Sequence, residues 1–486
     1  MSLDNSTANP IDASEIEAEV ENLFCDQYES NLPHSEVLEE ILEVISPINF
    51  HEAANLQESE KLSRKVLTVV VVQNVLQVAR QLNCGLCRQA GFIYSFNGAF
   101  WKVVDSAELE SFLGRAAAKL GVDEITAKYH AFRSDLMKQF LAVSHLPAPQ
   151  NPSGTILLNV INGTFEITST SRQLREFRPS DFLRYQLPFS FDETATCPEW
   201  DNFLNRVLPD QSSQRVLSEY FASLFTDLKL EKTLLLFGTG ANGKSVVFDV
   251  LGALLGRENV SNFSLSSLKH EYNRACIANK LLNYSSEVST SLDSELFKKL
   301  ASGEPIEARL PYQPPFIMNG YAKLAVNCNE LPRDVEHTEA YFRRFLIIPF
   351  DVFISEEERN PNLANEIIAN ELPGIFNCIL EGLDRLRPQN GFSRCDRAIE
   401  ALKTFRKESD SVALFIEEFN YQKVSCKENA TRLIEIYSEY KTFCTNNGFR
   451  TMSSISLRRR LERLGFECPR INSGKLVFAR AQKRVV

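Results

Sequence analysis

The spacing of apolar residues changes along the chain, and each change predicts a different kind of element. Helical spacing runs through 35–45, most of 61–145, 198–228 and 363–387. In the middle of the chain, short apolar runs of strand character alternate with helical segments, at 233–237, 280–285, 323–327 and 345–350. This alternation predicts an α/β fold with a parallel sheet between helices, and it places any ligand at the carboxyl ends of the strands.

The regions on either side of this alternation have other patterns. Segments 92–103 and 155–167 predict β-hairpins that turn at Asn97-Gly98 and Asn162-Gly163, so the amino-terminal region is expected to be mixed α+β. Toward the other end, three helices precede a strand, at 411–418, 429–446, 454–464 and 476–479. That order is typical of a winged-helix module.

The most specific motif is G-x4-G-K-S, which directly follows the apolar run 233–237 and opens a helix. Glycines let the backbone turn tightly, so that successive N–H groups and the helix amino terminus face phosphate oxygens. Lys244 is expected to reach the β- and γ-phosphates, and Ser245 to ligate Mg²⁺. The predicted cofactors are therefore ATP and Mg²⁺, bound by Gly238, Thr239, Gly240, Ala241, Asn242, Gly243, Lys244, Ser245 and Val246.

The composition is that of a globular protein, since 486 residues with 44% apolar content provide for several cores. No run approaches about 18 apolar residues, and no basic segment followed by an apolar one opens the chain, so neither membrane anchoring nor secretion is predicted. Eleven cysteines, an odd number, fit reduced thiols in a cytoplasmic setting. Cys84 and Cys87 have ligand spacing, but no second Cys/His pair nearby completes a zinc site.

The net charge of −10 is unevenly distributed. Residues 1–60 hold fifteen acidic residues and no Lys or Arg, which leaves 53 basic against 48 acidic residues in the rest of the chain. Residues 452–486 hold nine basic residues against two acidic ones, and one predicted helix there carries Arg458, Arg459, Arg460 and Arg463. This basic end is either a solvated face or a surface for nucleic acid.

ATP hydrolysis needs a carboxylate for the attacking water, a polar group at the γ-phosphate and a cation for the transition state. Glu287, Asn329 and the pair Arg343-Arg344 lie at ends of predicted strands and offer these three groups. Each is also typical of a strand cap or a surface ion pair, so both interpretations stay open for each residue taken alone.

In this order, the motifs resemble those of the superfamily III helicases, which are AAA+ ATPases of small viruses and mobile elements. More narrowly, the chain is similar to the C-terminal helicase part of the phage and plasmid primase-helicases, a family shared with the poxvirus primase-helicase. The matching segments are 238–245, 280–287, 301–312, 323–332 and 342–350, preceded by similar segments at 157–163, 177–182 and 187–191.

The resemblance implies a role for each motif residue. Lys244 and Ser245 hold the phosphates and Mg²⁺, and Asn329 is the sensor of the γ-phosphate. Glu287 is the catalytic carboxylate and a further metal ligand. The family's paired acidic residues are here Ser286-Glu287, so a single carboxylate is supplied and the rate of hydrolysis stays open.

The resemblance also implies an arginine finger. Arg344, with Arg343 as second choice, is expected to reach into the site of the neighbouring subunit. An arginine that acts in trans requires a ring, and the family's ring is a hexamer.

DNA contacts are implied in a hairpin that precedes the sensor strand and projects into the central channel. Residues 307–316 occupy that place, and the candidate contacts are Arg309, Tyr312 and Lys299. The alternative, that Arg309 supports the nucleotide site or the subunit interface, stays open.

The domain organisation then follows in six parts. They are an acidic helical or flexible arm (1–60), an α+β domain with two hairpins (61–195), a helical collar (196–232), an AAA+ core (233–355), a helical lid or connector (356–410) and a winged-helix-like domain (411–486). The roughly 90 residues before the match lack a D-x-D metal motif, and primer synthesis is therefore not expected.

The leading hypothesis for function is an ATP-dependent, ring-forming DNA helicase that replicates a mobile element in a bacterial cytoplasm. Its expected partners are single- and double-stranded DNA, further copies of the chain and a replication protein. Two alternatives remain: a non-processive ATPase that melts an origin or loads another helicase, and a nucleotide-dependent scaffold ring without turnover.

Overall fold

A computed structural model describes residues 32–89, 91–145, 154–286, 294–311, 313–332, 335–471 and 474–481. The chain divides into two compact units, Met1–Leu187 and Pro188–Val486, and each is described by itself. Within the described ranges, no helix has both the length and the apolar character that a membrane span requires.

The amino-terminal unit has a helical core. Side chains of Asn49, Ser63 and Asp105 accept backbone N–H groups of the following first turn and thereby define where three helices begin. Phe112 and Phe132 are fully buried where the helices meet. The helices are α1 (Val37–Val44), α2 (Phe50–Ala53), α3 (Arg64–Gln81), α4 (Ser106–Leu120), α5 (Glu124–Lys128) and α6 (His130–Val143).

Two antiparallel sheets complete this unit, and both predicted hairpins are present. The strands are β1 (Gly85–Gln89), β2 (Phe92–Phe96), β3 (Trp101–Val103), β4 (Ile156–Val160), β5 (Gly163–Ile167) and β6 (Arg172–Arg175), in the orders β1-β2-β3 and β4-β5-β6. The predicted second turn was displaced by one residue: Val160 pairs with Gly163, so Ile161 and Asn162 form the link. Strands β1 and β6 were not predicted, because each depends on pairing with a hairpin already formed.

The carboxyl-terminal unit begins with two helices and continues as an alternation of strands and helices. The elements are α7 (Pro198–Val207), α8 (Gln211–Ser223), β7 (Thr233–Phe237), α9 (Lys244–Leu255), β8 (Val260–Ser261), α10 (Glu271–Cys276), β9 (Leu282–Ser285), α11 (Ser294–Ser302), β10 (Ile306–Ala308), β11 (Phe316–Met318), β12 (Lys323–Cys328), α12 (Glu339–Phe342), β13 (Phe345–Pro349), α13 (Leu363–Asn370), α14 (Leu372–Gln389) and α15 (Asp396–Glu408). Helix α15 was not predicted.

The five-stranded sheet of this unit has the order β13-β7-β12-β9-β8, and all its pairings are parallel. This confirms the predicted α/β fold with a parallel sheet. Strand β7 is apolar from Leu234 to Phe237 and buried over four of its five residues, as expected of a strand with helices on both faces. The edge strand β8 was missed, because two residues are too short to have a recognisable pattern.

The last part of the chain forms a small region with its own core, which includes Phe415, Tyr440, Phe443 and Leu457. Its elements are α16 (Ser411–Glu418), β14 (Tyr421–Lys423), β15 (Thr431–Arg432), α17 (Leu433–Asn447), α18 (Ser454–Arg463), β16 (Arg470–Ile471), β17 (Gly474–Val477) and β18 (Ala479–Ala481). The short strands form a three-stranded sheet in the order β15-β17-β16 and a two-stranded sheet of β14 and β18.

Helix α14 lies close to its neighbours because two of its contacts are made by glycines. A Cβ on Gly374 would lie 2.2 Å from the carbonyl oxygen of Thr196, and a Cβ on Gly382 would lie 2.6 Å from the Oγ of Ser218 on α8. The backbone of α14 therefore sits directly against α8 and the residues that precede α7.

Replacing Gly374 with Ala is expected to lower the free energy of unfolding by about 1–3 kcal/mol, because the new methyl group overlaps a backbone that cannot move easily. Gly252 in α9 is the matched control. A Cβ there meets nothing within 4 Å, so Gly252→Ala should raise stability by about 0.5–1 kcal/mol. Denaturant unfolding of both variants checks the opposite signs, and equal effects would contradict the packing described here.

Lys323 at the start of β12 predicts a pH dependence. Its Nζ donates to the carbonyl oxygens of Ser223 and Thr226 in a buried position, and burial lowers its pKa from 10.5 to about 8. Between these values the unfolded chain binds more protons than the folded one, so the lysine's contribution to stability rises with pH. Relative to Lys323→Met, the wild type should gain about 2 kcal/mol between pH 8 and pH 10, measured by denaturant unfolding at each pH. A constant difference would contradict the shift.

Candidate nucleotide-binding site

The loop that follows β7 has the backbone conformation that phosphate binding requires. Gly240, Ala241 and Gly243 have φ values of 109°, 50° and 86°, in the left-handed region that favours glycine. Gly238 is needed for another reason, since a Cβ there would lie 2.4 Å from the carbonyl oxygen of Phe350. The chain turns back tightly from the end of β7 and enters α9 at Lys244.

Lys244 is already oriented over this loop. Its Nζ donates to the carbonyl oxygen of Gly238 at 2.8 Å and to Oδ1 of Asn242 at 2.9 Å. Asn242 is itself fixed, because its Nδ2 donates to the carbonyl oxygen of Phe350 at 2.9 Å. Lys244 is 3% exposed, and burial lowers its pKa. A buried ammonium with neutral acceptors gains more from an approaching anion than a solvated one does.

The outer side of the loop is open. Thr239, Ala241 and Ser245 are exposed, and Val246 is half-buried. Ser245 is the second residue of α9, a helix of twelve residues whose amino terminus faces the same space. These residues fit a triphosphate, with Ser245 as the hydroxyl that would hold Mg²⁺.

The neighbouring strand β12 carries polar residues at its carboxyl end, beside the end of β7. Cys328 pairs with Phe237, the last residue of β7, and Asn329 follows as an exposed residue. Asn327 is the penultimate residue of β12 and lies two residues before Asn329. Its Nδ2 donates to the hydroxyl of Tyr284 at 3.4 Å, while its buried Oδ1 has no hydrogen-bond partner among the described residues.

Asn327 was not singled out from the sequence. The signal that could have found it is a second amide two residues before Asn329, at the end of the same predicted strand. A buried amide oxygen without a partner is uncommon, and here it lies beside the strand that leads into the phosphate-binding loop.

The predicted catalytic carboxylate, Glu287, lies outside the described residues. Strand β9 ends at Ser285 and pairs in parallel with β12. The described chain therefore leads toward the carboxyl ends of the strands, where the loop also lies. The geometry of the carboxylate relative to Lys244 stays a prediction.

Arg343 and Arg344 lie near the amino-terminal ends of the parallel strands, whereas the loop lies at the carboxyl-terminal ends. They precede β13, whose first residue Phe345 pairs with Thr233 at the start of β7, whereas the loop follows the end of β7. Five strand residues span roughly 16 Å. Within one copy of the chain, neither arginine is therefore placed to meet a nucleotide in its own loop.

The two arginines differ in exposure, and this reverses the order of preference that the sequence suggested. The Arg344 side chain is 8% exposed, and its guanidinium donates to Oγ of Ser302 and to the carbonyl oxygens of Lys298 and Ala340. Arg343 is 55% exposed and forms an ion pair with Glu231 at 3.0 Å. A finger has to project from the surface, and of the two side chains only that of Arg343 does so. Its role as a finger stays a prediction.

The hairpin before the sensor strand is formed by β10 and β11, with Ile306 opposite Met318. Arg309 follows β10, where its Nε donates to the carbonyl oxygen of Gln313 and its Nη1 lies 3.4 Å from Glu271. Arg309 thus ties the hairpin to α10. Lys299 on α11 forms an exposed ion pair with Glu295, and Tyr312 lies outside the described residues.

The arginines of α18 fall into two pairs. Arg460 donates to the buried carboxylate of Asp410, and Arg458 forms an ion pair with Glu462 at 3.0 Å. Both are therefore engaged within the chain. Arg459 and Arg463 are exposed on the same helix.

Comparison with known proteins adds two family matches. Residues 79–209 match the family described as "D5 N terminal like", and residues 236–344, which contain the whole loop and both asparagines, match a family of unknown function. Over 354 residues the chain is 21% identical to "Putative helicase L207/L206" of Acanthamoeba polyphaga mimivirus. These matches make the chain similar to the phage and viral primase-helicases.

The chain spans about a third of the length of the curated relatives that it matches. The alignment with the mimivirus protein covers 65% of this chain and 36% of the relative. "Putative helicase 121R" of Invertebrate iridescent virus 3 is 22% identical over 340 residues, which are 61% of this chain and 35% of that protein. Among solved structures, the apo A form of the NrS-1 C-terminal region has a TM-score of 0.47 and 14% identity, over 84% of this chain and 98% of that one.

Proposed function

We propose that this protein is an ATP-driven DNA helicase that assembles as a ring and replicates a mobile genetic element. The resemblance to the superfamily III helicases implies that the ring is a hexamer. The observation that carries the proposal is the loop between Phe237 and Ser245, in which a buried Lys244 is already held over an open, left-handed turn. The two viral relatives are named as helicases, which supports DNA unwinding as the use of that energy.

An AAA+ core is the interpretation that this sheet supports. The strand that leads into the loop lies between β12, which leads to Asn329, and β13, which follows Arg343. ATP bound with Mg²⁺ would therefore meet Lys244, Ser245 and a sensor amide from its own subunit. Asn329 is the proposed sensor, and Asn327 is proposed as an amide that orients it or binds beside it.

The finger would then come from the next subunit. Arg343 is exposed at the end of the strands opposite the phosphate-binding loop of its own subunit. A nucleotide that it contacts therefore belongs to another copy of the chain. This requirement for a second copy supports a ring. In such a ring the finger completes the site only when neighbouring subunits are in contact.

DNA contacts are proposed for two regions. The β10–β11 hairpin, with Arg309 and Tyr312, would face the channel, and Lys299 lies on the helix before it. The last region of the chain, interpreted as a winged helix, would use the exposed Arg459 and Arg463 rather than Arg458 and Arg460, which are ion-paired. Phosphate contacts of this kind weaken as salt rises.

A strand-displacement assay on a forked duplex tests the proposal. The wild type with ATP and Mg²⁺ should release the labelled strand, and Lys244→Ala should not, because the cation over the phosphates is gone. Lys403→Ala, which removes an exposed lysine of α15, is the matched control and should unwind normally. Equal unwinding by wild type and Lys244→Ala would refute a motor. ATP-dependent opening limited to short duplexes would favour the origin-melting alternative.

A further inference from the structure

Two cysteines that are far apart in the chain meet between the start of α7 and the middle of α14. Cys197 immediately precedes α7 and Cys378 lies in the middle of α14, yet their sulfur atoms are 3.3 Å apart. Oδ1 of Asp201 lies 3.8 Å from the sulfur of Cys197, and one ligand atom from each of the three residues lies within 4.8 Å of the others. Two thiols and a carboxylate therefore converge on one point.

The helices hold this arrangement in place. Gly374 and Gly382 are each four residues from Cys378, and both make contacts in which no Cβ fits. Gly374 meets the backbone of Thr196 and Cys197 itself, so the close approach of α14 is what brings the two sulfur atoms together. Cys197 is 3% exposed and therefore packed inside the unit.

The spacing on each helix supplies a fourth candidate ligand. Cys197 caps the start of α7 and Asp201 lies in its first turn, and Cys378 and Glu381 are three residues apart on one face of α14. Asp201, Cys378 and Glu381 line a cleft of about 220 Å³ between α7, α8 and α14.

The donor set selects the kind of ion. Two thiolates with one or two carboxylates suit Zn²⁺ or a similarly soft divalent ion, and they do not suit Mg²⁺ or Ca²⁺, which take oxygen ligands. Two sulfur atoms on one tetrahedral zinc lie about 3.7 Å apart and a sulfur and an oxygen about 3.5 Å apart, close to the separations found here.

We propose that Cys197, Cys378 and Asp201 form a zinc site that joins α7 to α14, with Glu381 or a water molecule from the cleft as fourth ligand. The ion would bridge residues 181 positions apart in the chain. Cys84 and Cys87, the pair with ligand spacing in the sequence, offer no such site. Cys84 packs in the helical core and Cys87 with the aromatic residues of the neighbouring sheet.

Metal binding to the full-length, reduced and chelator-stripped protein tests the proposal. Titration with Zn²⁺ against a chromophoric chelator should give one tight equivalent per chain. Co²⁺ should give a thiolate charge-transfer band with the intensity of two thiolates and the visible bands of a tetrahedral ion. Cys378→Ser should weaken zinc binding at least about 100-fold and halve the charge-transfer band.

Three further variants complete the design. Asp201→Asn keeps both sulfur atoms and changes an exposed residue, so it should fold normally while weakening binding about tenfold and shifting the visible cobalt bands. Glu381→Gln shows the same effects if the carboxylate is the fourth ligand, and leaves them unchanged if the ligand is water. Cys395→Ser is the matched control, because Cys395 is buried in the same unit and caps α15, a role that serine fills.

Two outcomes would overturn the zinc site. One is a wild type that binds no stoichiometric zinc, including the case in which mass spectrometry finds Cys197 and Cys378 joined in a disulfide after purification under reducing conditions. The other is zinc binding that Cys378→Ser and Asp201→Asn leave unchanged. Binding is measured without nucleotide or DNA, so neither result bears on the proposed helicase.

Discussion

Arg343→Ala is expected to lower ATP turnover by about 1,000-fold while leaving ATP binding and the fold intact. The side chain of Arg343 is 55% exposed and lies at the end of the strands opposite the loop of its own subunit. Its proposed partner is therefore the transition state in a neighbouring subunit. Arginine fingers contribute about 10³–10⁵ to turnover when they neutralise that charge. Steady-state phosphate release, with nucleotide affinity measured separately, checks both parts.

Mixing two inactive variants tests whether the arginine acts in trans. Lys244→Ala lacks the cation of the loop and keeps the finger, whereas Arg343→Ala keeps the loop and lacks the finger. In mixed rings, some interfaces join an intact loop to an intact finger, so ATPase activity should return to a sizeable fraction of wild type. If mixtures stay as inactive as their components while still assembling together, the in-trans interpretation of Arg343 fails.

Arg344→Ala should instead destabilise the fold by about 3–5 kcal/mol. The guanidinium is buried, and its donations to Ser302 on α11 and to the carbonyl oxygens of Lys298 and Ala340 join α11 and α12 to the start of β13. Hydrogen bonds from a charged donor contribute about 1.5–3 kcal/mol each, and truncation leaves their acceptors buried without partners. Thermal and denaturant unfolding measure the loss directly.

The adjacent arginines serve as each other's control. Arg343→Ala should change stability by less than about 0.5 kcal/mol, because an exposed ion pair with Glu231 contributes little. Arg344→Lys should recover part of the lost stability, since an ammonium keeps the charge but cannot reach all three acceptors. A stable, inactive Arg344→Ala would contradict the structural role and return this residue to the catalytic site.

Within the site, sequence reasoning identified the residues whose role depends on their neighbours in the chain. Glycines at 238, 240 and 243 are explained by a turn that only they form easily, and the lysine and serine follow at fixed positions. Asn327 was missed because its significance lies in a buried oxygen without a partner, which is visible only once β12 lies against β9. Arg344 was preferred over Arg343 because nothing in two consecutive arginines shows which one is buried.

By itself, the sequence determined the central alternation of strands and helices, the phosphate-binding turn and the first hairpin, because each depends on backbone preferences and apolar spacing over a few consecutive residues. Tertiary structure alone decided what distant residues do together. It ordered the sheet with β7 between β12 and β13, separated the two arginines into a buried and an exposed one, and brought Cys197 within 3.3 Å of Cys378. Such proximity arises from packing across the whole unit, where side-chain volume and close backbone contacts such as that at Gly374 decide which residues can meet.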